Sequence, residues 1–365
     1  MAMANEGMAN NRPMLWDIFC RVVDNFGDIG VCWRAAADLA SRGERVRLWV
    51  DDGSALAWMA PQGHEGVEVR PWPSGPVEAV PGDVVVEAFG CHLPDDFMAR
   101  MAAASRPPVW INLEYLSAEP YVERSHRLMS PQMSGPGKGL VKWFFYPGFT
   151  AATGGLIREP DLMSRQARFE PGPWLASRGL APRGEERIVS LFCYPNPAVA
   201  ALLDRLCQQP TLLLATSGHA SEQVAAQLGP SLQRGHLRAL VVPRLTQPDY
   251  DHLLWSCDLN FVRGEDSFVR AQWAGKPFVW HIYPQDDGVH GDKLTAFEAL
   301  FLQSAEPGVA AAVHGWHAAW NGLGHDLPAL AGLGAWTRQA RAWRESLLSQ
   351  PDLVSQLRDF AIEKR

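Results

Sequence analysis

Short apolar runs recur along most of this chain, and between them lie stretches whose apolar residues fall at helical spacing. No other feature constrains the fold as much. Strands separated by helices read as βαβ units, which build a parallel sheet. A first series runs through Leu15 to Cys20, Arg45–Val50, Asp83–Phe89 and Pro108–Leu113, with Lys142–Phe149 as an aromatic strand or turn. A second runs through Ile188–Cys193, Thr211–Ala215, Leu237–Val242, Asp258–Val262 and Phe278–Ile282. Between them, Glu159–Glu186 is irregular and holds four prolines, so it reads as a linker with one short helix. Trp336–Leu348 and Leu353–Glu363 have the pattern of amphipathic helix. The expected division is a leader over 1–14, a first domain over 15–170, a second over 171–344, and a helix over about 345–365 that packs back on the first.

The length, 365 residues, suits two domains better than one core. Hydrophobic residues at 47% and charged residues at 20% describe a globular chain. The net charge of −7 argues against nucleic acid or an anionic membrane as partner, since both need a basic surface, and it suits a cationic acceptor. Fifteen tryptophans are expected mostly in cores, with one or two at a site. Six cysteines without a C-x-x-C pattern read as buried free thiols in a reducing cytoplasm. No apolar run reaches membrane-spanning length, and the leader has no signal-peptide core.

Asp24-Asn25-Phe26-Gly27-Asp28-Ile29-Gly30 joins the first strand to the first helix. Open α/β sheets bind ligands at such strand ends. Two carboxylates four residues apart, beside glycines that permit close approach, suit a general base with its partner or a cation clamp. They suit equally a helix N-cap and a turn. The other strand ends on this side carry Asp51, Glu87, Asn112 and Glu114.

In the second series, Arg263-Gly264-Glu265-Asp266-Ser267 follows a strand and opens a helix. Ser267 or Asp266 is a natural N-cap, and a helix N-terminus favours phosphate. Arg263 adds a charge-assisted contact to a diphosphate, and Glu265 a carboxylate for a ribose hydroxyl or a sugar. Phe192 and Tyr194 offer rings to bracket a base. Gln247 offers an amide to read a base edge, and Tyr250 another ring. His281 to Asp286 ends the next strand. Together these outline a nucleotide pocket.

Other signals point away from common alternatives. No G-x-G-x-x-G follows the first strand, which disfavours a dinucleotide oxidoreductase. Gly135-Pro136-Gly137-Lys138-Gly139 lacks the spacing of a phosphate loop. Asp249-Tyr250-Asp251 has a D-x-D form, but after Pro248 it reads as negative charge opening a helix. The eleven histidines show no ligand spacing, so no metal is expected. Two successive doubly wound domains with a cleft between them outline a GT-B architecture.

Five stretches carry a resemblance over most of the chain: Asp24 to Val31, Asn112-Leu113-Glu114-Tyr115-Leu116-Ser117, Gly154 to Glu159, Arg263 to Gln272, and His281 to Gln285. They resemble the EarP family, protein-arginine rhamnosyltransferases that modify bacterial translation elongation factor P. The resemblance implies an inverting, metal-independent GT-B enzyme of the cytoplasm with no cofactor beyond its donor, dTDP-β-L-rhamnose. The implied acceptor is an arginine of the elongation factor. Asp28 would be the general base, Asp24 its companion, and Glu265 a further catalytic carboxylate. Phe192, Tyr194, Gln247, Tyr250, Arg263, Glu265, Asp266 and Ser267 would bind the donor, and Asn25, Gly27 and Glu114 would lie on the acceptor side. The competing expectations are a GT-B epimerase, a transferase with a small-molecule acceptor, and a non-catalytic nucleotide-sugar sensor.

Overall fold

The computed structural model of the chain describes residues 12–23, 26–72, 75, 77–283, 289–324, 326–330 and 332–365. The first half holds β1 (Leu15–Cys20), α1 (Gly27–Ser41), β2 (Arg45–Val50), α2 (Leu56–Met59), β3 (Val67–Pro71), β4 (Val84–Ala88), α3 (Asp95–Ala103), β5 (Val109–Leu113), α4 (Tyr121–Ser125), β6 (Met129–Pro131) and β7 (Val141–Phe145). Two short helices, α5 (Leu162–Arg168) and α6 (Pro171–Ser177), occupy the stretch expected as a linker with one helix. The second half holds β8 (Arg187–Leu191), α7 (Val199–Leu206), β9 (Thr211–Thr216), α8 (His219–Leu228), β10 (Gln233–Arg234), β11 (Leu237–Val242), α9 (Gln247–Ser256), β12 (Leu259–Arg263), α10 (Asp266–Ala274) and β13 (Phe278–His281). Four helices close the chain: α11 (Val289–Phe301), α12 (Pro307–Trp320), α13 (Leu333–Leu348) and α14 (Leu353–Lys364).

The strands form two sheets, ordered β3-β2-β1-β4-β5-β7-β6 and β10-β11-β9-β8-β12-β13. Every pairing is parallel except those of the edge strands β6 and β10. In each sheet the order reverses beside the first strand of its series, between β1 and β4 and between β8 and β12. Loops diverge at such a reversal and leave a crevice at the carboxyl ends of the strands. The residues of β4 and β5 are buried along their whole length, as expected of central parallel strands covered on both faces.

Apolar residues alternate between the two faces of β1. Trp16, Ile18 and Cys20 join the core beneath α1, while Phe19 packs on the opposite face against Trp49 and Phe97. Burial on both faces fixes where β1 ends. The loop beyond it is held by the Val22 N–H, which donates to Asp51 Oδ1 at 2.9 Å.

The terminal helix returns to the first sheet. Leu353, Val354, Leu357, Phe360 and Ala361 of α14 are buried in the core that includes Ile18 and Leu39. The Leu353 N–H donates to Leu156 O at 2.9 Å, and Arg42 reaches Asp352 at 2.8 Å. Helix α13 stays with the second half, where Trp336 and Leu347 are buried. All six cysteines are free, and five of them are buried. Among the described residues no helix is long and apolar enough to cross a membrane.

Candidate active site

The two crevices face each other across a cavity of about 330 Å³. Phe26, Gly27, Arg34 and Trp58 line it from the first half, and Phe192, Gln247, Tyr250, Arg263, Asp266 and Ser267 from the second. Small-ligand sites run from roughly 300 to 1,000 Å³, so this one suits a compact ligand.

Asp28 lies in the first turn of α1 and is buried. It does not cap the helix: Phe26 holds the N-cap position with no side-chain cap. Instead Asp28 Oδ2 accepts from the Val23 N–H at 2.8 Å, which ties the carboxylate to the loop after β1. Asp24 and Asn25 lie outside the described residues. Gly27 opens α1 at the cavity wall. Glu114 lies just past the end of β5 and accepts from Asn112 Nδ2 at 2.6 Å. Burial raises its pKa, and the Asn112 bond opposes that rise.

Across the cleft, Glu265 accepts from the Leu116 N–H of the first half at 2.9 Å. Burial pushes the Glu265 pKa up to about 8; the Leu116 bond opposes this, and the negative charges of Asp28 and Asp266 add to it. The two candidate carboxylates, 28 and 265, therefore share one electrostatic neighbourhood although they belong to different sheets.

Arg263 ends β12 with its guanidinium between two rings, 4.4 Å from the centroid of Phe192 and 4.5 Å from that of Tyr194. Its Nη1 donates to Cys193 O at 3.3 Å. The rings expected to bracket a base thus hold the arginine by cation–π contact. Phe192 also meets Tyr250 edge to face at 5.8 Å, and this pair borders the cavity. The sequence expectation that Ser267 or Asp266 caps α10 fails. Glu265 holds the cap position without a side-chain bond, and the Ser267 hydroxyl accepts from the Arg263 N–H and donates to Arg263 O. The strand end competes for that hydroxyl and wins. The Tyr250 hydroxyl is buried beside the Ser267 hydroxyl, and burial raises its pKa.

Gln247 is buried, and its Nε2 donates to Gly30 O at 3.0 Å, so its amide bridges the two halves. Asp266 accepts from Arg34 Nε at 2.7 Å while lining the cavity. The D-x-D stretch divides. The Asp249 N–H donates to the Thr246 hydroxyl at the start of α9, as expected of a helix opening. Asp251 is buried and paired with Arg270 and Arg34. His281 lies against Tyr194, and burial with the nearby Arg263 lowers its pKa to about 4. Pro284, Gln285 and Asp286 lie outside the described residues.

The sequence reading missed Arg34, Phe26, Trp58 and Arg244. Arg34 left a trace, a lone cation amid Cys32, Trp33, Ala35 and Ala36 on a helix pattern. Phe26 meets Trp58 edge to face at 5.1 Å within the first half, and Arg244 of the second half lies over Trp58 at 5.7 Å. Neither contact leaves a mark in local sequence.

Two doubly wound domains facing across a ligand-sized cleft, with candidate groups at both strand-order reversals, define a GT-B glycosyltransferase fold. SsfS6, a Streptomyces glycosyltransferase solved with thymidine diphosphate, shares that fold at a TM-score of 0.52 and 11% identity, over 96% of this chain and 100% of the other. The family model described as Elongation-Factor P (EF-P) rhamnosyltransferase EarP matches residues 16–362. The chain is 44% identical to the protein-arginine rhamnosyltransferase of Pseudomonas aeruginosa, over 94% of this chain and 98% of that one. It is 37% identical to that of Neisseria meningitidis, over 96% and 98%. A solved structure reporting the structural basis for EarP-mediated arginine glycosylation of translation elongation factor EF-P matches at a TM-score of 0.67 and 30% identity, covering 96% of this chain and 100% of the other. The chain belongs to the EarP family of EF-P rhamnosyltransferases.

Proposed function

We propose that this protein moves L-rhamnose from dTDP-β-L-rhamnose to an arginine side chain of translation elongation factor P, with inversion at the anomeric carbon. The observation that carries the reading is the meeting of both candidate loops at one cleft. Glu265 of the second half accepts from the Leu116 N–H of the first and carries the charge influence of Asp28. Arg263 and the α10 N-terminus would hold the diphosphate and stabilise it as it leaves, so that departure needs no metal. Phe192 and Tyr250 would form the wall for the thymine, and the buried Tyr250 hydroxyl would supply a polar atom for the donor.

On the other wall, the acceptor guanidinium is protonated and a poor nucleophile at neutral pH. Asp28 would orient it and take the proton lost as nitrogen attacks the anomeric carbon. Asp24 would fix that geometry. Inversion needs no covalent enzyme intermediate, so one base suffices. Glu265 would contact the sugar in its neutral form near pH 7. Asn25, Gly27 and Glu114 would face the acceptor, and the reaction would take place in the cytoplasm, where a translation factor works.

Intact-mass analysis of elongation factor P after incubation with the protein and dTDP-rhamnose tests this. The expected product carries one added deoxyhexose. Unmodified factor with the donor hydrolysed or epimerised would overturn the reading in favour of a small-molecule enzyme.

A further inference from the structure

Helices α1 and α10 belong to different sheets, and each opens at the cleft. The first carries Asp28 and the second follows Arg263. Six residues beyond Asp28, Arg34 is buried and leaves its own domain. Its Nε donates to Asp266 Oδ1 at 2.7 Å, on the first residue of α10. Its Nη2 reaches Asp251 Oδ1 at 3.1 Å and Gln247 O at 3.4 Å, both on α9. Its Nη1 reaches Glu159 Oε1 and Asp251 Oδ2, each at 3.4 Å.

Arg270 closes the cluster with bonds to Asp251 at 2.7 and 2.8 Å and to Glu159 at 2.9 Å. Three carboxylates and two guanidiniums thus share the interior between the halves. The helices also touch at Gly30, where a Cβ would stand 3.4 Å from both Asp266 Oδ2 and Gln247 Nε2.

We infer that Arg34 is a positioning residue for the transfer, setting the spacing between the helix that bears the base and the helix that opens the donor cradle. The inference rests on the function proposed above. A guanidinium is a rigid fork, so three engaged nitrogens fix orientation as well as distance. Interfaces between domains of one chain ordinarily permit relative motion, and this fork restrains it beside the reacting groups. Arg34 lines the cavity, yet each of its nitrogens already serves a protein acceptor. Arg263, with one carbonyl and two rings as partners, keeps its charge for a diphosphate, as does Arg244 on the same cavity wall.

Two variants test this. Arg34→Lys keeps the charge and loses the fork. Arg34→Gln with Asp251→Asn removes one charge of each sign, which keeps the cluster in balance if the single variant does not fold. Each is measured for dTDP binding by calorimetry, for kcat and acceptor KM, and for domain spacing by small-angle scattering. The expected result is a kcat loss of about tenfold or more, because small misplacement is costly in a positioned reaction. The dTDP affinity should stay within about threefold of wild type and the scattering profile should expand. A loss of dTDP affinity as large as the loss of kcat makes Arg34 a donor ligand and overturns the inference. So does a folded variant with kcat within about twofold of wild type. If the wild-type protein transfers no sugar, the proposed function fails by itself. Scattering still decides the inference in that case, and an unchanged profile overturns it.

Discussion

Glu159 and Glu265 are the same residue type, both partly buried at the junction of the same two domains, and the structure treats them in opposite ways. Burial pushes both toward the neutral form. At Glu159 the guanidiniums of Arg270 and Arg34 outweigh burial and hold the pKa at about 2. At Glu265 no guanidinium pairs with the carboxylate among the described residues; the Leu116 N–H and the more weakly acting Lys293 charge oppose burial, Asp28 and Asp266 add negative charge, and the pKa is about 8. One carboxylate is built into the frame and the other is kept near neutrality beside the cavity. A carboxylate perturbed by burial without a bonded cation is a candidate for acting on a ligand, whereas a saturated ion cluster is more often structural.

The frame should break hardest. Asp251→Ala strips Arg270 and Arg34 of a shared buried partner and is expected to cost about 3–5 kcal/mol in chemical denaturation. A cost near zero would mean that the cluster is not what holds the halves together. Arg263→Ala is expected to leave the fold intact and weaken dTDP binding by about 2 kcal/mol, roughly 30-fold, in calorimetry. Unchanged affinity would remove Arg263 from the donor site.

The pH dependence sharpens the contrast further. The raised pKa of Glu265 makes its contribution to stability complete below about pH 4.5 and lost as pH rises through about 8. Glu265→Gln is therefore expected to melt higher than wild type at pH 9, on the order of 2 °C given partial solvent screening, and to match it at pH 5. The lowered pKa of Glu159 works the other way, its contribution being present above about pH 4.5 and lost as pH falls toward 2. A Glu159→Gln variant that keeps the wild-type acid-unfolding midpoint would contradict that sign. The smallest expected effect is that of a chelator, which should leave the transfer rate within about twofold if, as proposed, Arg263 and the α10 N-terminus meet the leaving diphosphate.

The two sheets were legible because β1, β4, β5, β8, β9 and β12 are apolar runs buried on both faces, and such runs announce themselves locally. The edge strand β3 was not, since Glu68 and Arg70 break its apolar pattern at the solvent face. The site was half legible. Arg263, Glu265 and Asp28 stand where strand ends and glycine turns suggest chemistry. The expectation that Ser267 caps α10 failed because capping is a local inference, and a neighbouring strand end competed for its hydroxyl. Arg34 left only the trace of a lone cation on an apolar helix pattern; its role was not legible, because Asp266, its 2.7 Å partner, lies 232 residues further along the chain. No local pattern encodes such a pair; only folding brings it together.

The proposed reaction requires Asp28 to act on the acceptor while the opposite wall holds the donor. Asp28→Asn, measured in one preparation for dTDP-rhamnose affinity and for single-turnover transfer to elongation factor P, tests that most directly. The account predicts an affinity close to wild type and transfer reduced by at least about a hundredfold, as when a general base is lost. A variant that still glycosylates the factor at nearly the wild-type rate would contradict it.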